Sequence, residues 1–216
     1  EWLGASTTIN ESLVKEYVQL NATVAQATQY NVTTEERARL IGKLQEQYPE
    51  YFANLDQEKA TNEELAAVLR QANDAYARRF GLLQLQKDFT DAAEKQGKKQ
   101  ADFAKGQAKL FESVGVAIDE YEKKFGTAFQ RTGNIIQDAQ NLINAGINPR
   151  ISLFRDLEGD LLSVQLRQEN LNAAVVNATK EQQLYTTAVG LYATQEISAT
   201  KAADERLKKF KEESLV

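Results

Sequence analysis

The chain has 216 residues, with 26 Lys and Arg against 31 Asp and Glu, for a formal net charge of −5 at pH 7. That mildly acidic balance is a poor basis for an independent DNA-binding module, and no stretch approaches the ~20 apolar residues of a membrane span. Cysteine, histidine and methionine are absent, which excludes disulfides and thiolate chemistry and removes the commonest general base and transition-metal ligand.

Apolar residues make up 42% of the chain and aromatics 8%, with a mean hydropathy of −0.51, the balance of a soluble chain with a thin core. The only prolines are Pro49 and Pro149, and scarce proline permits very long helices. Without methionine, Glu1 is not an initiator, so the chain reads either as processed or as one part of a longer product, the second being favoured because nothing resembles a signal peptide or its cleavage remnant.

From Ser6 to about Tyr30, Ile9, Leu13, Val14, Tyr17, Val18, Leu20 and Val24 recur at helical spacing. Thr33-Thr34-Glu35-Glu36 then forms a capping box, with Thr33 accepting from the amide of Glu36. The helix it starts has Ala38, Leu40, Ile41 and Leu44 on or near its buried side and ends at Pro49. In the link from residue 48 to 60, Tyr48, Tyr51, Phe52 and Leu55 form an apolar knot expected to pin it to neighbouring helices.

A second capping box, Thr61-Asn62-Glu63-Glu64, opens a helix predicted over residues 62 to 125. In its second half Phe103, Gln107, Leu110, Val114, Ile118, Tyr121 and Phe125 are spaced 4, 3, 4, 4, 3 and 4, an eleven-residue repeat that gives a nearly straight or slightly right-handed coil. Glu94 to Gln100, polar and holding Gly97, is its weakest stretch. A connecting helix is expected over about 128 to 145, carrying Phe129, Ile135, Ile136, Ala139, Leu142 and Ile143. Gly146 and Pro149 stop it.

Residues 152 to 213 read as one almost unbroken helix. Phe154, Leu157, Leu161, Val164, Gln168, Leu171, Val175, Ala178, Gln182, Tyr185, Val189, Tyr192, Glu196, Ala199, Ala203, Arg206 and Phe210 follow one another in steps of three and four. This is the seam of a left-handed coiled coil, roughly 90 Å long at 1.5 Å per residue. Gln168 and Gln182 are polar at seam positions: they either fix register or turn outward from a loosely packed seam.

Chemical motifs are sparse. Glu35-Glu36 and Glu63-Glu64 lie in opening turns, where the helix dipole favours acids. Asp156-Leu157-Glu158-Gly159-Asp160 superficially suggests a calcium loop. The sixth and twelfth positions are Leu161 and Arg167, however, so the match fails and a solvent-facing helix turn is the better reading. Asn10, Asn21, Asn31 and Asn177 fit the glycosylation pattern, which arises by chance in an Asn- and Thr-rich chain and carries meaning only for a protein secreted by a eukaryote. No phosphate-binding loop is present. The reading is therefore non-enzymatic, with no catalytic, cofactor-binding or metal-binding residues.

The segment from Leu40 through Tyr48-Pro49-Glu50-Tyr51-Phe52 and Leu55-Asp56-Gln57-Glu58 to Thr61-Asn62-Glu63-Glu64-Leu65 resembles helical regions of phage tail tape measure proteins, especially from phages and prophages of Bacteroidetes-type hosts. In those regions a helix ends in a Tyr-Pro turn, a short acidic link follows, and a capped helix restarts. The resemblance covers residues 40 to 65. It implies a long helical protein of a phage particle, in its interior or tail, or otherwise in the host cytoplasm. It also implies action by length and self-association and contact with other virion proteins. The chain departs from the family in being far shorter than a usual tape measure and in lacking apolar, membrane-active stretches. Two alternatives stay open: a virion-internal cargo or ejection protein, and a helical interaction domain of a secreted bacterial effector.

The expected fold is all-α, an elongated long-helix hairpin or coiled-coil bundle. Short helices and the Tyr-Pro link occupy 1–60, a long helix 61–126, a connecting helix and turn 127–149, and the heptad helix 150–216, with no separate globular domain. The expected helix–helix interface comprises Phe103, Leu110, Val114, Ile118, Tyr121 and Phe125 on the first long helix. On the second it comprises Phe154, Leu157, Leu161, Val164, Leu171, Val175, Tyr185, Val189, Tyr192 and Phe210. Self-association is expected, with no small-molecule substrate and no membrane span, and nucleic-acid contact is not indicated. Leu171→Asp combined with Val175→Asp is expected to lower helicity or oligomer order. Unchanged circular dichroism together with unchanged mass in solution would refute the coiled-coil reading.

Overall fold

A computed structural model describes the backbone over residues 2–152 and 155–213 and the side chains of 11–150 and 156–194. The chain is all-α apart from one small hairpin. Its helices are α1 (Trp2–Ala27), α2 (Thr34–Gln47), α3 (Pro49–Phe52), α4 (Asn62–Phe125), α5 (Ile135–Asn144) and α6 (Leu157–Glu213), and strands β1 (Arg150–Ser152) and β2 (Arg155–Asp156) precede α6. Two compact units divide the chain, one formed by residues 1–85 and 188–216, the other by residues 86–187.

In the first unit α1, α2, α3 and the start of α4 enclose one core of Leu20, Val24, Leu40, Ile41, Leu44, Phe52, Leu65 and Tyr76. Tyr17 of α1 lies edge-on to Tyr76 and Phe80 of α4, at centroid distances of 5.7 and 6.0 Å. Asn21 and Asn73 exchange reciprocal amide hydrogen bonds of 3.1 Å. Rising numbers on α1 thus meet falling numbers on α4, and the two helices run antiparallel.

The local chemistry sets the ends of these helices. Thr33 Oγ1 accepts from the Glu36 amide at 3.2 Å. The Glu36 side chain does not complete a capping box, because it binds Arg39 at 2.7 and 2.9 Å. At the start of α4 the box is complete: Thr61 Oγ1 accepts from the Glu64 amide at 3.2 Å, and Glu64 Oε2 accepts from the Thr61 amide at 2.7 Å. Pro49 ends α2 and occupies the opening turn of α3, where a missing N–H costs nothing. Tyr48 and Phe52 are buried, and Tyr51 and Leu55 pack on the same core, so the link is pinned by its apolar residues.

In the second unit Leu110, Val114, Ala117 and Ile118 of α4 pack with Ala139 and Leu142 of α5 and with Leu157, Leu161 and Val164 of α6. Helix α4 is uninterrupted through its polar stretch, where Lys98 and Glu94 form a 2.7 Å ion pair one turn apart.

Helix α5 is shorter than the 128 to 145 expected. Its start is set by Asn134, whose side chain accepts from the amides of Ile136 and Gln137 at 3.0 and 3.3 Å. Asp138, buried, holds the preceding loop by accepting from the Thr132 amide and hydroxyl, both at 2.7 Å. Its end is a Schellman motif: Gly146 N–H donates to Ile143 O and Ile147 N–H to Leu142 O, both at 2.9 Å. Gly146 takes φ 74°, a conformation that a Cβ disfavours.

The start of α6 also differs from expectation. Residues 152 to 156 are not helical where described: β1 pairs antiparallel with β2, Arg150 opposite Asp156 and Ser152 opposite Arg155. The helix begins only where its orphan amides find acceptors. Asp156 Oδ1 accepts from Gly159 N–H at 2.7 Å, and Asn148 Oδ1 accepts from Glu158 N–H at 3.2 Å. Asp156 is therefore the cap of α6 and not part of a solvent-facing helix turn.

Tyr76 gives the first core a pH dependence. Burial, reinforced by the Glu16 carboxylate, pushes its phenol from 10.0 up to about 12. Between those values the unfolded chain has lost a proton that the folded chain keeps. The contribution is complete below pH 10 and disappears as pH rises toward 12, a loss of up to ~3 kcal/mol. Urea titrations on either side of this window are expected to show the decline in wild type and a clearly smaller one in Tyr76→Phe.

Candidate interaction surface

Helices α4 and α6 present the chain's chemistry to each other in the second unit. Ser113 of α4 is fully buried, and its Oγ is within hydrogen-bonding reach of both the Asp160 carboxyl group of α6 and the Lys109 carbonyl. Farther along, Arg167 of α6 donates from Nη1 to the Asp102 carbonyl at 3.0 Å and from Nε to Ser163 Oγ at 3.2 Å. Gly106 makes room for that arginine: a Cβ there would lie 2.7 Å from Arg167 Cδ. Beyond it, the Phe89 and Tyr185 rings stack at 6.2 Å with planes 5° apart. Each successive α4 residue meets an earlier α6 residue, so the pair is an antiparallel hairpin within this unit.

The expected interface residues divide into several groups. Leu110, Val114, Ile118, Leu157, Leu161 and Val164 share one core, with Phe103 and Tyr121 packed against it. Phe125 is 46% exposed, although its ring lies 4.7 Å from that of Tyr121. Tyr185 stacks on Phe89. Leu171 is half-buried, whereas Val175 and Val189 are 38% and 40% exposed. In the first unit, Tyr192 Oη accepts from Arg79 Nε at 3.3 Å, a bond that holds Arg79 further toward its charged form. Phe154 and the side chain of Phe210 lie outside the described residues.

The seam of α6 keeps its seven-residue beat at Leu157, Val164, Leu171, Ala178, Tyr185 and Tyr192, all buried or half-buried. Its intermediate positions shift by one residue. Beyond Leu161, Arg167, Ala174, Glu181 and Ala188 are the more covered residues, while Gln168, Val175, Gln182 and Val189 face solvent. Gln168 and Gln182 thus turn outward instead of fixing register in this hairpin. Valine outranks alanine in a hydropathy pattern, but burial follows the direction in which a residue points. Apolar periodicity does not announce the arginine tie. Its available signal was Gly106, since glycine inside a helical pattern marks a close approach or a functional demand. Of the glycosylation-like positions, Asn21 is occupied by its bonds to Tyr17 O and Asn73.

An open groove of about 300 Å³ lies beside Arg167, lined by Lys99, Asp102, Ser163, Leu166, Arg167 and Asn170. Among the described residues no group of three or more acidic side chains is placed to hold a metal ion. No helix there is long and apolar enough to cross a membrane. No protein-family model, no curated protein and no solved structure matches the chain.

Ser113→Ala removes the hydroxyl partner of a buried carboxyl group and is expected to cost ~1–3 kcal/mol in urea unfolding. Combined with Asp160→Ala, the loss is expected to fall short of the sum of the single losses, because the two groups share one interaction.

Proposed function

We propose that this chain is a non-enzymatic structural protein that acts through long helices and self-association, in the manner of the helical region of a phage tail tape measure protein. The observation that carries the reading is the design of α4 and α6. They are uninterrupted helices of 64 and 57 residues, where globular proteins average about 11–12. The side-chain chemistry described between them joins helix to helix: Ser113 to Asp160, Arg167 to the Asp102 carbonyl, Phe89 to Tyr185. The virion location rests on the Tyr-Pro link and capped restart between residues 40 and 65, whose chemistry this fold uses to turn from α2 into α4.

Mass spectrometry of phage or prophage-derived particles from the source tests the proposal. Peptides of this chain within a polypeptide far heavier than 24.2 kDa are the expected result. A particle-borne polypeptide near that mass would replace the tape-measure reading with that of an internal cargo protein. Detection only in a secreted polypeptide that also carries a toxin domain would overturn the virion reading in favour of an effector.

A further inference from the structure

Helix α6 carries a second stripe outside its buried seam with α4, reaching the edge of the Arg167 groove at Leu166. Leu162, Leu166, Glu169, Ala173, Val176 and Lys180 follow one another in steps of four and three, and all six are exposed. Leu162 is 59% exposed, Leu166 60% and Val176 69%. Apolar residues clustered on one exposed face mark an interaction surface more often than scattered ones do, and this spacing is that of a helix–helix seam. The two charges in the stripe identify the partner. Neither Glu169 nor Lys180 has an ion-pair partner within the described residues.

We infer that this stripe binds the same stripe of a second copy of the chain, antiparallel, about a two-fold axis passing between Ala173 and Val176. In that register Ala173 faces Val176 of the second copy, and Glu169 faces Lys180, each pair occurring twice. Leu166 and Leu162 meet Gln183 and Thr187 at the flanks. Antiparallel seams pair alternate heptad positions in this way, and a two-fold interface must be self-complementary. An in-register parallel pair would instead oppose Glu169 to Glu169 and Lys180 to Lys180, and like charges placed opposite each other disfavour it. This inference rests on the self-association reading and specifies its surface.

The test is sedimentation equilibrium of the full chain over a range of concentrations. Wild type is expected to dimerise. Glu169→Lys or Lys180→Glu alone creates two like-charge contacts and is expected to weaken the dimer about tenfold or more, while the double reversal restores it. Because both side chains are exposed, helicity is expected to remain at the wild-type level. The chain has no cysteine, which permits a second readout. Ala173→Cys mixed with Val176→Cys is expected to form the mixed disulfide in preference to either self-pair. A preference for the Ala173→Cys self-pair would overturn the antiparallel register. An oligomer indifferent to both single reversals would overturn this surface but leave self-association standing. A monomer at every concentration would overturn both.

Discussion

The protein depends on each of its long helices burying a narrow apolar face. In proteins, tertiary packing of such a face supplies more of a helix's stability than intrinsic propensity does. At one end of the second unit this burial is dense, with Leu110 and Val114 against Leu157, Leu161 and Val164. In the first unit the same requirement is met differently. The start of α4 is enclosed by α1, α2 and α3, and Phe52 and Tyr76 fill the space between them.

Polar ties supplement this burial where apolar packing alone would leave the register loose. Ser113 and Asp160 oppose each other at the dense end, and Arg167 binds a backbone carbonyl of α4 where Gly106 allows it to lie close. Apolar contacts are non-directional, so a seam of leucine, valine and alanine tolerates sliding. A buried hydroxyl–carboxyl pair and a guanidinium on a carbonyl do not, because each loses its partner if the helices shift by a turn. These groups act as register devices, which accounts for polar side chains between otherwise apolar helix faces.

What could be read from the sequence was what is local. Thr61-Asn62-Glu63-Glu64 announced the start of α4, and both partners of that capping box bond as the pattern requires. Gly146 announced the end of α5. The start of α6 was illegible because its cap depends on the hairpin that places Asn148 and Asp156 beside the first amides. Periodicity continued smoothly through this hairpin, and a pattern of apolar steps does not distinguish a short strand pair from a first helical turn. The seam's phase is hidden for a related reason. Periodicity places Leu157, Val164 and Leu171 in it, but whether Ala174 or Val175 faces inward depends on where α4 lies, a property of the partner helix.

The exposure along α4 has a kinetic meaning. Between Ala92 and Gly106 no residue of this helix is fully buried, so its backbone bonds there are less thickly covered by side chains than those beneath Leu110 and Val114. Amide hydrogens in such a stretch exchange through small local openings, whereas those beneath Leu110 and Val114 must await a larger one. The helix is continuous as a shape and discontinuous as a cooperative unit. A protease or a binding partner that requires unwound backbone would find its entry in this polar middle, well before either apolar core had opened.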